Sequence, residues 1–286
     1  RGLGDVYKRQ PFYLSEYYRF ISYLHKPQFT TLLVVNYSTF SFKCLSLFLT
    51  FLRNMLYLSY TAVIPHKMTK GTDNMNENVK AALKKRAEKV ISALEKNNMK
   101  GYLVDTPDEA KQIIKELIKD DKLIVSGGTM TLKETGIQDF LNENYSGIYI
   151  DREKLSPDEV NDLYRKAFSA DTYFASTNAI TEYGELYNVD GTGNRVAAMI
   201  FGPKQVIIVA GLNKIVTDLH SAVDRLETIA SPANCVRLGK NTPCAKTGRC
   251  AHCLSPDRIC NDYVIMAHQR DKDRIKVILI SDEYGY

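Results

Sequence analysis

The chain has 286 residues, enough for one large domain or two small ones with a substantial hydrophobic core. Its formal net charge of +5 comes from the first 74 residues, which hold nine of the 38 basic and three of the 33 acidic residues. The other 212 residues hold 29 basic and 30 acidic residues, so charge gives no reason to expect a nucleic-acid partner for them.

Residues 1 to 74 lack the pattern of a folded domain. They begin RGLGDVYKRQ, which is typical of translated linker or adaptor sequence, and residues 11 to 67 show no sustained helical period. The apolar stretch from 45 to 64 is about long enough to span a bilayer, but Arg53 and Asn54 lie in its middle. We expect a non-native upstream segment that is disordered or poorly packed. The alternatives are a membrane anchor or signal-like segment and a genuine soluble extension.

Residues 75 to 286 predict one α/β domain, for which Met68 or Met75 could be the natural start. Nearly continuous apolar runs predict strands at 101–105, 122–128, 147–151, 172–176, 205–211, 262–269 and 274–281. Helices are predicted at 77–97, 107–119, from 131 onward, 157–168, 194–201 and 214–228. Three of them begin at capping residues, since Thr106, Thr131 and Ser156 are each followed by a glutamate three residues later.

This alternation predicts a mostly parallel sheet with helices on both faces. A cysteine-rich loop at 235–262 and a pair of strands complete the domain. Parallel sheets of this kind bind ligands at the carboxyl ends of their strands. The polar and glycine-rich loops that follow the strands therefore hold the candidate binding residues.

The first of these loops follows the strand at 122–128. Gly127 and Gly128 would let the backbone approach a ligand, at the start of a helix whose free N–H groups favour a phosphate or a carboxylate. Thr129 and Thr131 would add hydroxyl donors. The alternative is a tight turn before a capped helix. Another strand end carries Lys214, which either points into the same cleft or is solvated.

The second loop region, residues 177 to 195, contains a predicted hairpin turn at Tyr183-Gly184 and further glycines. Arg195 could hold an anionic substrate and either Asp190 or Glu182 could carry a proton, which makes these three the candidate catalytic residues. The accompanying candidate ligand-binding residues are Thr177, Asn178, Gly191, Gly193 and Asn194. The alternative is structural, with Asp190 satisfying turn amides and Asn194 capping a helix.

Four of the six cysteines fall in a C-x5-C-x2-C-x6-C pattern. The Cys-x2-Cys pair can place two thiolates on one metal ion, and the flanking cysteines can complete four-fold coordination. The candidate metal ligands are Cys244, Cys250, Cys253 and Cys260. His252, between two of the cysteines, is an alternative ligand, but its side chain is expected to point off the Cys-x2-Cys turn. Nearby basic residues are expected to lower the thiol pKa values.

The spacing does not distinguish a [4Fe–4S] cluster from Zn²⁺, and either would suit the site. Redox-active thiols are a further alternative. Structural disulfides are another, but the sequence has no clear secretion signal, which argues against them.

Residues 75 to 286 resemble the lactate utilization (LUD) domain family. The resemblance lies in VSGGTMTLKETGI (125–137), TNAITEYGELYNVDGTGNRVAAMIFGP (177–203), VIIVAGLNKI (206–215) and TPCAKTGRCAHCLSPDRIC (242–260). It implies the superfold of ribose-5-phosphate isomerase, glucosamine-6-phosphate deaminase and CoA-transferase. It also implies a part in oxidising L-lactate to pyruvate with iron–sulfur partner proteins. No G-x-G-x-x-G dinucleotide fingerprint follows the first strand.

Three functional hypotheses follow. The leading one is a cytoplasmic LUD-type protein that binds a small anionic metabolite and whose cysteine loop passes electrons or braces the fold. The second is a non-redox isomerase or CoA-transferase-like enzyme with Glu182 or Asp190 as base or nucleophile. The third is a non-catalytic binding subunit with a structural zinc ion. No membrane association is expected unless residues 45–64 are native, and a homo-oligomer remains open.

Overall fold

The structure, a computed structural model, describes residues 76 to 286. The expectations for residues 1–74, including the apolar stretch at 45–64, lie outside the described residues. No helix within residues 76–286 combines the length and the apolar character that a membrane crossing requires.

The described residues form short helices and strands that alternate along most of the chain. The helices are α1 (Glu77–Lys96), α2 (Pro107–Leu117), α3 (Met130–Glu134), α4 (Ile137–Asn144), α5 (Pro157–Lys166), α6 (Asn194–Ile200), α7 (Leu219–Arg225), α8 (Ser231–Arg237) and α9 (Pro243–Thr247). The strands are β1 (Lys100–Val104), β2 (Ile124–Ser126), β3 (Tyr149–Ile150), β4 (Thr172–Ala175), β5 (Ala179–Thr181), β6 (Leu186–Asp190), β7 (Gln205–Gly211), β8 (Ile215–Val216), β9 (Asp262–Met266) and β10 (Ile275–Ile280). A π-helical segment, Leu226–Ala230, joins α7 to α8.

Six strands form one sheet in the order β1-β10-β7-β4-β2-β3, and every neighbouring pair in it is parallel. The central strand β7 is buried along nearly its whole length because both faces of the sheet are covered. A parallel sheet needs this cover, which explains why its strands read as continuous apolar runs in the sequence. The predicted parallel sheet is confirmed.

Side chains along β7 alternate between two apolar clusters. Val206, Ile208 and Ala210 belong to a cluster that is covered by α1, α5 and α6. Ile207 and Val209 belong to a cluster on the opposite face, which is covered by α2, α3 and α4. Burying one such aliphatic side chain contributes roughly 1.5–3 kcal/mol, so these two layers supply most of the stability. Helices therefore cover both faces, as predicted.

A second, smaller sheet has the order β8-β5-β6-β9. The predicted hairpin is present, with β5 and β6 antiparallel and Gly184 in a left-handed conformation (φ 76°) at the turn. The two strands predicted near the C-terminus also exist, but they do not pair with each other. β9 joins the small sheet beside β6, whereas β10 lies in the middle of the large one.

Two predicted helix starts need correction. The capping box at Ser156 is present, but Thr131 lies inside α3 and Thr129 is the N-cap, accepting a hydrogen bond from the Thr131 N–H. The predicted helix at 214–228 begins only at Leu219, because Ile215–Val216 first pairs with β5 as strand β8. The two apolar residues of β8 are compatible with the sequence pattern of a helix and with that of a strand.

The strand order reverses beside β2 and β4. The chain leaves β2 towards α3, on one face of the large sheet, and leaves β4 towards the small sheet, which packs against the other face. A crevice is expected where the loops of two neighbouring parallel strands separate in this way. The candidate functional site lies there.

Candidate functional site

A cavity of about 260 Å³ lies at the carboxyl ends of the central strands. It gathers residues from the loops after β2, β3, β4, β6 and β7, together with residues from α8 and from the C-terminal segment. The predicted site residues that line it are Gly128, Thr129, Thr131, Thr177, Asn178, Asp190, Gly191, Asn194, Arg195 and Lys214. The strand-end rule therefore located one common crevice from loops that are far apart in the sequence.

Lys214 is the most unusual group in the cavity. It is only 3% exposed, and its Nζ donates hydrogen bonds to the Ser176 Oγ at 2.9 Å and the Thr131 Oγ1 at 3.0 Å. No carboxylate forms an ion pair with it among the described residues. Burial lowers the pKa of Lys214 to about 7, and the positive charges of Arg225 and Arg195 act in the same direction.

Arg152 brings a second cation to the cavity, from the loop after β3. Its guanidinium lies against Gly128, where an added Cβ would come within 2.6 Å of Nη2. Its Nη1 donates to the Tyr164 hydroxyl at 3.2 Å, and within residues 76–286 it forms no ion pair. Gly128 was predicted to let a ligand approach the backbone. In the structure its missing side chain makes room for the Arg152 guanidinium.

Asp190 and Arg195 line the cavity but are engaged with each other. The Arg195 guanidinium lies 2.7 Å from the Asp190 Oδ1, and the exposed side-chain fractions are 13% and 6%. The other Asp190 oxygen accepts hydrogen bonds from the backbone N–H groups of Arg195 and Val196 at the start of α6. Arg195 also donates to the carbonyl of Ser176 at 2.7 Å and to the Asn188 side chain at 2.6 Å.

The predicted roles of these two residues therefore need revision. The Arg195 donors are used within the protein, and both Asp190 oxygens accept hydrogen bonds. Asp190 therefore satisfies backbone amides, as its structural alternative predicts. Asn194 does not cap the helix, so its structural alternative is not met. Gly193, with φ 70°, is the N-cap of α6, and the Asn194 side chain instead accepts a hydrogen bond from Thr192.

Glu182 lies away from the cavity. Its Oε1 accepts a hydrogen bond from the Arg86 Nε at 2.7 Å, on α1. The β5–β6 turn packs directly on that helix, where an added Cβ at Gly184 would lie 2.7 Å from the Ala93 carbonyl carbon. The prediction that Glu182 belongs to the cleft is wrong because the hairpin folds back onto α1 instead of projecting over the strand ends.

Two predicted glycines and two polar residues serve the scaffold. Gly127 does not line the cavity, and an added Cβ there would come within 2.7 Å of the Tyr173 hydroxyl. Gly193 does not line it either. The Thr177 hydroxyl donates to backbone carbonyls of the β5–β6 hairpin, and the Asn178 Oδ1 accepts from the Val189 N–H and from Arg195.

Several cavity residues were missed by the sequence analysis. Ser176 directly follows β4 and Arg152 closely follows β3, so the strand-end rule applied to every strand would have found both. Asn234 and Arg237 lie on α8, and Tyr286 lies in the C-terminal segment. No local sequence signal marks these three, since only the tertiary fold brings their elements to the strand ends.

The cysteine loop contains free thiols in the described part of the chain: Cys235, Cys244, Cys250, Cys253 and Cys260 form no disulfide. Cys235 and Cys244 are buried and hydrogen-bonded to each other. Burial raises the pKa of Cys235 to about 11 and also raises the pKa of Cys250. The expected lowering of the thiol pKa by nearby basic residues is therefore not found at Cys250.

The metal-ligating atoms that come closest together in residues 76–286 belong to Glu227, Cys250 and His252. Their atoms all lie within 4.8 Å of one another, whereas no three of the predicted cysteines form such a group. The His252 Nε2 lies 3.4 Å from the Glu227 Oε1, so His252 is placed beside possible metal ligands. The backbone of His252 is left-handed (φ 47°), and Glu227 lies in the π-helical segment.

The buried Asp190–Arg195 pair gives a stability prediction. Asp190→Asn keeps the side-chain shape but leaves the Arg195 charge buried without its counter-ion, so we expect the free energy of unfolding to fall by about 3–5 kcal/mol. Urea denaturation followed by circular dichroism measures the change. The control is Asp108→Asn, which breaks the exposed pair with Lys111 and should cost less than about 1 kcal/mol. Equal losses in the two variants would contradict the structural role of Asp190.

Lys214 gives a prediction about pH. Its pKa is about 7 in the folded chain and 10.5 in the unfolded chain, so between these values the unfolded state binds more protons and stability rises with pH. The unfolding free energy of the wild type, relative to Lys214→Met, should increase by up to ~1.4 kcal/mol per pH unit from pH 7 to pH 10.

Urea titrations at four pH values measure this slope. Lys204→Met is the control, since Asp171 raises the pKa of Lys204 and its contribution should stay constant over the same interval. A flat difference for Lys214→Met would show that the amine is not desolvated in the way the structure indicates.

Comparison with known proteins places this fold in a family. No curated protein matches the chain. A solved structure, described as a DUF162 family protein from Deinococcus radiodurans, is 14% identical; the match covers 70% of this chain and 98% of that one, with a TM-score of 0.41. The sequence model of the LUD domain family matches residues 87–280, well over half of the chain. The chain therefore belongs to the LUD domain family, which is associated with lactate utilization.

Proposed function

We propose that the strand-end cavity binds a small anionic metabolite, and that the protein takes part in L-lactate oxidation or a related electron transfer with iron–sulfur partner proteins. The observation that carries the proposal is the position of Lys214. It is buried in the cavity without a carboxylate partner among the described residues, and Ile259 of the cysteine loop lines the same cavity. Family membership supports lactate as the metabolic context, and the geometry supports the anionic character of the ligand.

The charge of the cavity favours an anion. Four basic residues line the cavity, and Asp190 is the one acidic residue among its described lining residues. The basic residues are Lys214, Arg152, Arg195 and Arg237. Because Arg195 neutralises Asp190, the guanidinium groups of Arg152 and Arg237 are left without a carboxylate partner among the described residues, and Lys214, with a pKa of about 7, adds positive charge only in its protonated form. Uncompensated cations in a partly enclosed site bind carboxylates and phosphates well, since charge-assisted hydrogen bonds are about twice as strong as neutral ones.

The size of the cavity favours a small ligand. Its volume of about 260 Å³ lies below the range of ~300–1,000 Å³ that is typical of drug-sized molecules. The hydroxyls of Ser176, Thr129 and Thr131 supply neutral hydrogen-bonding partners next to the cations. A short hydroxy or oxo acid suits this combination of size, charge and polarity.

The cysteine loop is attached to the cavity. Ile259 lines the cavity, and Asn261 donates its backbone N–H to the Asp190 carbonyl at 2.8 Å and its side-chain amide to the Gly191 carbonyl at 2.9 Å. The helix α8, which carries Cys235, contributes further lining residues. A redox centre in the loop would therefore lie near the bound metabolite.

The thiols of the loop are the type of ligand that a soft metal ion or an iron–sulfur cluster takes. Cys244, Cys250 and Cys260 lie close enough for the charges of Cys244 and Cys260 to influence the ionisation of Cys250. Cys253, by its spacing, or Cys235, by its contact with Cys244, would complete the set. A bound [4Fe–4S] cluster would supply one-electron transfer, and bound Zn²⁺ would brace the loop.

The isomerase or CoA-transferase alternative finds less support. That chemistry needs a carboxylate that is free to act on a bound substrate. Asp190 is held by Arg195 and by the amides of α6, and Glu182 is paired with Arg86 outside the cavity. Within residues 76–286, no other acidic side chain lines the cavity.

Anion binding is tested at Arg152. We expect Arg152→Gln to weaken the binding of pyruvate and L-lactate by about 10- to 100-fold, because a hydrogen bond to a charged group contributes about 1.5–3 kcal/mol. Isothermal titration calorimetry measures both dissociation constants. Arg165→Gln, on the exposed side of α5, removes the same charge away from the cavity and should leave them unchanged. Equal affinities for all three proteins would refute the proposed site.

The cofactor is tested on the full chain purified without oxygen. We expect iron and sulfide in the wild type and a broad visible absorption that dithionite bleaches, and we expect Cys250→Ser to lose both. Cys235→Ser and Cys253→Ser identify the fourth ligand. Glu227→Gln is the control for the alternative Glu227–Cys250–His252 group and should retain the cluster.

Two outcomes would contradict this proposal. A colourless protein with one zinc ion per chain would favour the non-catalytic binding subunit and remove electron transfer from the loop. Full metal content in Cys250→Ser would place the metal elsewhere.

A further inference from the structure

The amine of Lys214 is held in an environment that differs from that of a structural lysine. A buried ammonium group normally pairs with a carboxylate, because an uncompensated buried charge is costly. Here both hydrogen-bond partners are neutral hydroxyls, those of Thr131 and Ser176. The amine also lines a cavity wide enough for a small molecule.

The backbone next to the amine is a glycine, which places no side chain against it. The C-terminal segment passes beside it at Gly285, where an added Cβ would lie 3.3 Å from the Lys214 Nζ and 2.6 Å from the Thr131 Oγ1. The Thr131 hydroxyl donates to the Tyr284 carbonyl at 3.3 Å, so it can accept from the lysine at the same time. A side chain at position 285 would crowd the amine.

The surrounding cations favour the neutral amine, which is the nucleophilic form. Arg225 is 7% exposed and fixes the loop that carries Lys214, donating from Nε to the Asn213 carbonyl at 2.9 Å. The charge of Arg195 also lowers the pKa of Lys214, and Glu134 is the acidic group that acts in the opposite direction. Desolvation combined with neighbouring cations is a known way to activate a lysine towards carbonyl compounds.

We propose that Lys214 binds a small 2-oxo acid covalently, as an iminium ion between its Nζ and the carbonyl carbon of the acid. The inference rests on the proposed function, since the same cavity cations would hold the carboxylate of the acid. It extends that function by naming the ligand class, a carboxylate with an adjacent carbonyl group, and the residue that reacts with it.

The step balances without an oxidant or a reductant. The neutral amine adds to the carbonyl carbon, and one proton moves from the nitrogen to the former carbonyl oxygen to give a neutral carbinolamine. Loss of that hydroxyl group as water, with one further proton, leaves the C=N⁺ bond. The Ser176 and Thr131 hydroxyls contact Nζ directly, so they are placed to pass these protons. A 2-hydroxy acid has no carbonyl carbon at this position and cannot undergo the step.

A second half-buried lysine provides a matched control. Burial also lowers the pKa of Lys276, but its Nζ donates to the Asp273 carbonyl at 2.7 Å and it does not line the cavity. Desolvation alone would make both lysines reactive, whereas the cavity predicts reaction at Lys214.

The test uses the full chain, pyruvate and sodium cyanoborohydride, which reduces an iminium to a stable secondary amine. We expect the intact mass to increase by one carboxyethyl group and peptide mapping to place it on Lys214. The Lys276→Arg variant should give the same product, and the Lys214→Arg variant should give none. L-lactate in place of pyruvate should give no product.

Peptide mapping of the wild type decides the matter even if Lys214→Arg does not fold. A product spread over exposed lysines, or located on Lys276, overturns the proposal. If calorimetry shows pyruvate binding that depends on Arg152 but no product forms at Lys214, covalent binding is refuted and the anion site stands. If neither binding nor product is seen, both proposals fail.

Discussion

The buried ion pair between Asp190 and Arg195 fixes the relation between the two sheets. Arg195, on α6, reaches the Ser176 carbonyl just after β4 of the large sheet and the Asn188 side chain on β6 of the small one. Asp190 ends β6 and accepts the first free amides of α6. Because each partner satisfies a buried charge of the other, the sheets and the helix have one arrangement in which no charge is left unpaired.

This constraint also determines the electrostatics of the cavity. Arg195 neutralises Asp190, the one acidic residue among the described residues that line the cavity, and its positive charge also lowers the pKa of Lys214. The result is a cavity with an excess of basic side chains and a lysine whose pKa lies at about 7. Asn261 ties the cysteine loop to the same place through the Asp190 carbonyl. The cavity and the cysteine loop thus meet at one junction.

The fold was largely predictable because its local signals agree. Continuous apolar strands, short linkers and capping residues such as Ser156 all indicate a covered parallel sheet, and the structure contains it. The errors arose where one pattern fits two structures. Thr131 followed by Glu134 matches a capping box, yet Thr131 is buried inside α3 and accepts a hydrogen bond from Lys214. The residues of β8 fit a helix until their partner in β5 is known.

The sequence by itself determined the fold class, the strand ends where polar loops converge, and the spacing of the cysteines. These features depend on near neighbours along the chain, where periodicity and turn chemistry act. Tertiary structure alone decided the charge state of the site. Glu182 lies outside the cavity because its hairpin packs on α1, where it pairs with Arg86. Asp190 pairs with Arg195, and Lys214 donates to neutral hydroxyls instead of a carboxylate. The pairing of charged side chains depends on contacts between segments that are distant in the sequence. Burial then sets the strength of each electrostatic interaction and the size of each pKa shift.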